Sequence, residues 1–328
     1  MSSSPSVPTI GVGNLAMGGT GKTPHTEFLA RQLQKHFRVA ILSRGYRRKT
    51  QGFVLADANA TAQTIGDEPM QMHLNLPEVP VAVCENRLHG IRRLQRLFPD
   101  LQVVLLDDAF QHRRLNCGFY ILLTPADNLY VNDHFFPRGK LRDSRHASLR
   151  ANMIVVTKCP ETMQPIDRRV IETSLHLPQY QQLFFSYLHD GALMPVWKDQ
   201  NSDASAIRKP LILTGIENPE HMLDYLKKQY GEVESMRFAD HHDFSKRDIA
   251  RIMRQAERSR CDAIITTQKD AARLLFLPYF PEEWKAKTFM LPVEVDFKGQ
   301  QEAFMKPIMQ YVTENNRQQR KKPTKPTE

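Results

Sequence analysis

Eight residues constrain this chain more than any others. Ala16-Met17-Gly18-Gly19-Thr20-Gly21-Lys22-Thr23 follows a short apolar run, Pro8 to Leu15, and opens a helical pattern from Thr23 to about His36. Phe28, Leu29 and Leu33 recur on one face of that helix. A strand that turns through glycines straight into a helix brings backbone N–H groups and the positive helix end onto one anion. Lys22 would then reach the β- and γ-phosphates of a nucleoside triphosphate, and the Thr23 hydroxyl would ligate Mg²⁺. Gly18, Gly19, Thr20, Gly21, Lys22 and Thr23 are the expected nucleotide-binding residues, with Ala16 where the strict pattern has glycine.

Such a loop needs a parallel sheet behind it. Val39–Leu42, Val81–Val83, Val103–Leu106, Tyr120–Leu123 and Met153–Val156 are short, continuous apolar runs, and a helix rich in Arg and Leu spans Arg87 to Phe98. Unbroken apolar strands alternating with helices predict an α/β fold, a P-loop NTPase-like parallel sheet covered by helices on both faces. This lobe is expected over residues 1–160. After a less regular stretch from about Gln164 to Lys209 a second series follows. Leu211–Leu213, Ala263–Ile265 and Phe289–Val295 read as strands, Pro219–Tyr230 and Ser245–Ser259 as helices, the latter opened by an N-cap serine. A second, smaller α/β lobe is expected over 205–300, with the boundary within 160–205. The segment 315–328 carries Arg317, Arg320, Lys321, Lys322 and Lys325 against one glutamate, with two prolines, and is expected to be a basic disordered tail.

Composition narrows the class. With 41% hydrophobic and 25% charged residues in 328, the chain is an ordinary globular one. No run approaches the ~18 apolar residues of a transmembrane helix, and the first residues lack the basic and apolar regions of a secretory signal. Cys84, Cys117, Cys159 and Cys261 lie far apart without a C-x-x-C pair, which excludes zinc by spacing and fits buried thiols in a reducing cytoplasm. The net charge, 45 − 36 = +9, suits nucleic acid, an anionic membrane or a phosphorylated substrate, and does not choose among them.

Asp107 and Asp108 end the run Val103–Leu106, where a carboxylate should hold Mg²⁺ and its neighbour should orient a ligand or handle a proton. Thr157-Lys158-Cys159-Pro160 puts proline where a guanine-reading motif requires aspartate, so ATP is the expected nucleotide. A P-loop switch ATPase with a protein partner stays open on these residues, as does a kinase of another hydroxylated metabolite.

Gly13-Asn14-Leu15 leading into Gly18–Pro24 resembles the start of the tetraacyldisaccharide 4′-kinases, the lipid A 4′-kinases of Gram-negative bacteria. Further blocks agree in order: Leu42–Tyr46, Gly66-Asp67-Glu68-Pro69, Leu106–Arg113, Pro137–Arg142, Thr214–Pro219, Phe238–His241 and Thr267-Gln268-Lys269-Asp270. The resemblance spans roughly residues 8–296. It implies ATP- and Mg²⁺-dependent phosphorylation of the 4′-hydroxyl of tetraacyldisaccharide 1-phosphate, giving lipid IVA, by two α/β lobes with the site between them. It also implies Asp67 as catalytic carboxylate, with His241 as its partner, beside Lys22. From the residues alone, Gly66–Pro69 would be a turn with a capping aspartate; Asp240-His241-His242-Asp243 tempts a metal reading, but adjacent histidines point in different directions on a strand or helix, and only a loop could bring them to one ion. Arg44, Arg47, Arg113, Arg138 and Arg142 are candidates for phosphate contacts, since the guanidinium fork matches phosphate oxygens.

The implied partners are the lipid disaccharide and, peripherally, the anionic cytoplasmic surface of the bacterial inner membrane, with no nucleic acid. Family members usually carry an apolar and basic segment before the first strand. Here that strand begins at about Pro8, so the membrane contact is expected to be weak, reversible and salt-dependent. Ala109 stands where many members have glycine, a change expected to be tolerated.

Overall fold

A computed structural model describes residues 5–112 and 115–321. Its larger sheet contains β1 (Thr9–Asn14), β2 (Val39–Ser43), β3 (Val54–Leu55), β4 (Val81–Val83), β5 (Val103–Asp107), β6 (Phe119–Pro125), β7 (Met153–Thr157) and β8 (Gln182–Phe185). The spatial order is β3-β4-β2-β5-β1-β6-β7-β8, all parallel except β3 against β4. Alternate residues of each strand serve opposite faces. Val103 and Leu105 face Phe28, Leu29 and Leu33 of α1 (Lys22–Leu33), whereas Val104 and Leu106 share the other core with Ile91 and Leu94 of α4 (Arg87–Leu97). Burial on both faces is why these strands are unbroken apolar runs. Two short helices, α2 (Ala62–Ile65) and α3 (Asp67–Asn75), sit between β3 and β4 in sequence.

The stretch 164–209 is more ordered than its composition suggests. It contains α5 (Pro165–Leu175), the edge strand β8 and β9 (Tyr187–Asp190), so the first sheet extends beyond residue 160, to Phe185. The weak pattern has a physical cause: α5 leaves Ile166 and Val170 exposed, and β8 opens with an exposed Gln182.

The second lobe is a five-stranded sheet of β10 (Met194–Pro195), β11 (Pro210–Thr214), β12 (Glu234–Arg237), β13 (Ala263–Thr267) and β14 (Thr288–Leu291), in the order β10-β14-β13-β11-β12. Around it lie α6 (Glu220–Tyr230), α7 (Lys246–Arg258), α8 (Gln268–Leu274) and α9 (Glu282–Lys285). Ser245 caps α7 in a reciprocal capping box with Asp248. The expected strand Phe289–Val295 divides at Pro292, which has no N–H for a sheet ladder, into β14 and β15 (Val293–Asp296). β15 pairs antiparallel with β9 and forms the ribbon between the lobes.

The chain then returns to the first lobe. α10 (Gln301–Lys321) buries Phe304, Ile308 and Val312, spaced four apart, in the same core as α1. Each buried apolar side chain stabilises this docking by about 1.5–3 kcal/mol. This corrects the tail reading: the helix takes up 315–321, with Asn316 Nδ2 donating to the Gln102 carbonyl at 3.2 Å, and residues 322–328 lie outside the described ones. All four cysteines are buried and free, and burial pushes the Cys117 thiol up to about 12. Among the described residues no helix is long and apolar enough to cross a membrane.

Candidate active site

The phosphate loop is braced from below. Gly21, the residue before α1, has φ +85°, a left-handed conformation that side chains resist. Its carbonyl accepts from His25 Nδ1 at 2.7 Å, so His25 Nε2 is the acceptor for the Ser186 hydroxyl at 2.9 Å. Burial lowers the His25 pKa to about 4, and the ring serves as a neutral strut. Buried Asn14, at the end of β1, is a hub. Its Nδ2 donates to Thr20 Oγ1 at 2.9 Å, and its Oδ1 accepts from Lys22 Nζ at 3.4 Å and Arg142 Nη2 at 2.5 Å. From the second lobe Glu217 approaches the loop: Oε2 lies 3.5 Å from where a Cβ on Gly18 would stand.

The two aspartates after β5 have different fates. Asp107 is buried; Oδ2 accepts from the Ser43 hydroxyl at 3.1 Å, and Oδ1 has no hydrogen-bond partner among the described residues. Burial, reinforced by the charge of Asp108, raises its pKa to about 6. An acidic oxygen without such a partner fits a hard divalent cation; Thr23, the hydroxyl residue after Lys22, is half-buried at the start of α1. Asp108 is already committed: Arg142 grips both its oxygens, and Lys22 Nζ stands 3.8 Å away. Burial would raise the Asp108 pKa, but Lys22 and Arg142 outweigh it and hold the carboxyl below its usual range. Of the two aspartates expected at a Mg²⁺ site, Asp107 therefore suits the cation-ligand role better.

A second cluster forms where α3 meets α8. Asp67 is the first residue of α3, rather than a cap, after Gly66 at φ +94°. A Cβ on Gly66 would lie 2.9 Å from the Tyr46 carbonyl oxygen, so this turn requires glycine. His241 Nδ1 is 2.5 Å from Asp67 Oδ2, although the two residues are 174 apart in sequence. Lys269 Nζ is 3.1 Å from His241 Nε2. An ammonium only donates, so Nε2 accepts and the Nδ1 proton goes to Asp67. Arg273 grips the same carboxylate, Nε to Oδ1 at 2.9 Å and Nη2 to Oδ2 at 2.5 Å. Its Nη1 donates to fully buried Asp270 at 2.9 Å, whose other oxygen accepts from Gly215 N and Thr267 Oγ1, each at 2.8 Å. Burial would raise the Asp67 pKa, but the hydrogen bonds from His241 and Arg273 and their charges hold it well below the carboxylate range. Glu68, 3.5 Å from Lys269 and close enough to raise the Asp107 pKa, links the two clusters.

The site thus combines an anion-binding loop, an unpaired buried acid and a carboxylate ionised at any physiological pH. Asp67 Oδ1 accepts only from Arg273 Nε among these groups, which leaves acceptor capacity for a hydroxyl. The tempting metal cluster at 240–243 does not form: His241 turns to Asp67, His242 to Asp248 at 3.1 Å. Among the described residues no three His, Cys, Asp or Glu converge as metal ligands.

Residues 1–313 match the family described as Tetraacyldisaccharide-1-P 4′-kinase, LpxK. The chain belongs to the tetraacyldisaccharide 4′-kinase family. A curated relative of that name from Bacteroides thetaiotaomicron is 44% identical over 326 residues, covering 95% of this chain and 86% of its own length. One from Flavobacterium johnsoniae is 43% identical over 311 residues, covering 94% and 88%. The crystal structure of LpxK from Aquifex aeolicus in complex with ATP superposes with a TM-score of 0.72 at 26% identity, over 95% of this chain and 90% of that one.

Of the arginines that are candidates for phosphate contacts, Arg142 bonds Asn14 and Asp108 beside the loop; Arg44, Arg47 and Arg138 are exposed, as is Arg142, and Arg113 is outside the described residues. Sequence reasoning passed over Asn14, Arg87, Lys269 and Arg273 as site residues. Arg87 is buried, with Nη1 on the Cys84 carbonyl at 2.7 Å, and its charge acts on Asp107 and Asp108. Asn14 and Lys269 stand inside motif blocks already singled out, and that was the available signal.

Proposed function

We propose that this chain transfers the γ-phosphoryl group of ATP to the 4′-hydroxyl of tetraacyldisaccharide 1-phosphate, with lipid IVA and ADP as products. Family membership supports the reaction, and the assignment of roles rests on two contacts between the lobes: His241 of the second lobe bonds Asp67, and Glu217 of the same lobe reaches Gly18 of the phosphate loop. Asp67 Oδ1 accepts the hydroxyl proton while the sugar oxygen bonds to the γ-phosphorus and the bond to the bridging oxygen of ADP breaks. His241 holds Asp67 in orientation through Nδ1–H, and Lys269 fixes that tautomer from the other side. Lys22 and the N–H groups of Gly18–Lys22 cradle the phosphates, and Arg142, steered by Asp108 and Asn14, adds a cation beside them. Thr23 and Asp107 would hold Mg²⁺, which when bound screens the phosphate charge. The acyl chains of the acceptor bring the protein to the anionic cytoplasmic face of the inner membrane as a peripheral protein, without nucleic-acid partners.

The test uses radiolabelled ATP with the tetraacyldisaccharide 1-phosphate. Label should move to a lipid product on thin-layer plates. Label released only as inorganic phosphate by folded, ATP-binding protein would favour a switch ATPase instead.

A further inference from the structure

Two adjacent phenylalanines, Phe135 and Phe136, are 56% and 68% exposed. They stand at the tip of the 134–142 turn, between β6 and the 3-10 helix Arg145–Arg150. The tip is firmly built. Buried Asp133 accepts the N–H groups of His134 at 2.7 Å and Lys140 at 3.0 Å through one oxygen. Gly139 N donates to the Phe135 carbonyl and Phe136 N to the Leu141 carbonyl, each at 3.1 Å, and Arg145 Nη2 reaches the Asp133 carbonyl at 2.5 Å. A Cβ on Gly139 would lie 2.3 Å from Asp133 Oδ1, so the turn is closed tightly on itself. A turn held this firmly keeps both aromatic rings in water, where apolar surface is costly.

The return arm is stitched to the phosphate loop. Met17 N donates to the Lys140 carbonyl at 2.7 Å and Arg142 N to the Leu15 carbonyl at 2.9 Å, and Met17 is itself 43% exposed. Arg138, Lys140 and Arg145 are exposed around the tip. Aromatic side chains rimmed by Lys and Arg match the boundary between acyl chains and anionic headgroups.

We infer that the 134–142 turn seats the protein on an anionic lipid bilayer. Phe135 and Phe136 enter the acyl boundary, Arg138, Lys140 and Arg145 lie on the headgroups, and the phosphate loop is held at the interface where an acylated acceptor presents its hydroxyl. This rests on the lipid acceptor proposed above. It makes membrane contact partly hydrophobic, rather than a purely electrostatic effect of net charge.

The experiment compares the full chain, Phe135→Ser/Phe136→Ser, Arg138→Gln/Lys140→Gln and the control Leu97→Ser. Leu97 is a 48% exposed apolar residue on α4. Each is floated with vesicles of phosphatidylcholine and phosphatidylglycerol, and assayed on acceptor in vesicles and in detergent. The double serine variant should bind vesicles at least about tenfold more weakly, the loss expected for two aromatic anchors. Its KM for vesicle-borne acceptor should rise in step, with kcat on detergent-dispersed acceptor and ATP affinity unchanged. The double glutamine variant should lose binding at low salt, and Leu97→Ser should bind as the parent does. A serine variant that floats like the parent, a Leu97→Ser loss of equal size, or a parent that phosphorylates the acceptor without floating would each overturn the inference. Phenylalanine-dependent flotation of a protein that never phosphorylates the lipid would leave the docking turn standing and remove the kinase reading.

Discussion

Arg273→Gln should destabilise the chain by about 3–5 kcal/mol, the usual cost of removing one partner from a buried ion pair. The magnitude follows from what the guanidinium touches. Its side chain is 6% exposed and bonds both oxygens of Asp67 and one of Asp270, whose side chain is fully buried. Glutamine leaves Asp270 with Gly215 N and Thr267 Oγ1 alone, and Asp67 with His241 alone. Asp67→Asn removes the same interlobe contact but leaves Arg273 paired with Asp270, so it should cost less, about 1–3 kcal/mol. Because both variants delete one shared interaction, the double variant should cost at least about 1 kcal/mol less than the sum. Urea denaturation of the four proteins measures this. Trp197 and Trp284 both lie in the second-lobe core, so their fluorescence reports the lobe that carries Arg273. The folded pKa of Asp67 is depressed, so its contribution is present above its unfolded value of ~3.9 and is lost as pH falls through the folded one. The coupling should accordingly be the same at pH 8 as at pH 5. Costs that add to within about 0.5 kcal/mol would refute the shared contact.

Three further outcomes follow from the same geometry. Lys22→Ala should abolish phosphoryl transfer with an unchanged circular dichroism spectrum, losing several kcal/mol of transition-state stabilisation, on the order of a hundredfold or more in kcat. Asp107, raised to about 6 when folded, contributes stability that is fully present below ~3.9 and lost as pH rises through about 6. Urea titrations in chelator should show that loss, Asp107→Asn should flatten it, and Mg²⁺ at pH 7 should raise the urea midpoint of the parent but not of Asp107→Asn. His241→Ala and Asp67→Ala should each lower kcat far more than they raise the KM for ATP. Combining them should be little worse than the weaker single variant, since paired groups are strongly non-additive; steady-state kinetics on all four proteins decides it.

Much of this was legible because its signals are local. The phosphate loop, the unbroken strands β1, β2, β5 and β7 and the Ser245 cap each depend on neighbours within a few residues. The pairing of Asp67 with His241 was legible only through the family motifs, since nothing in either segment announces a partner 174 residues away. Arg273 stayed hidden among Ala271, Ala272 and Leu274, where a buried helix face is the natural reading, because its ligand is 206 residues away. α10 was masked by Pro307 and by the basic end of the chain, although Phe304, Ile308 and Val312 carry a helical repeat. The different fates of Asp107 and Asp108 depend on Ser43 and Arg142, which only the fold brings beside them.

The proposed mechanism has Asp67 activate the acceptor hydroxyl while the phosphate loop holds ATP. Single-turnover transfer from saturating ATP to the tetraacyldisaccharide 1-phosphate, measured for the parent and for Asp67→Asn alongside ATP affinity, tests it most directly. The transfer rate should fall by about 10²–10⁴, the usual contribution of a general base, with ATP affinity within about twofold of the parent. An Asp67→Asn rate within a few-fold of the parent, or a loss explained by weaker ATP binding, would contradict it.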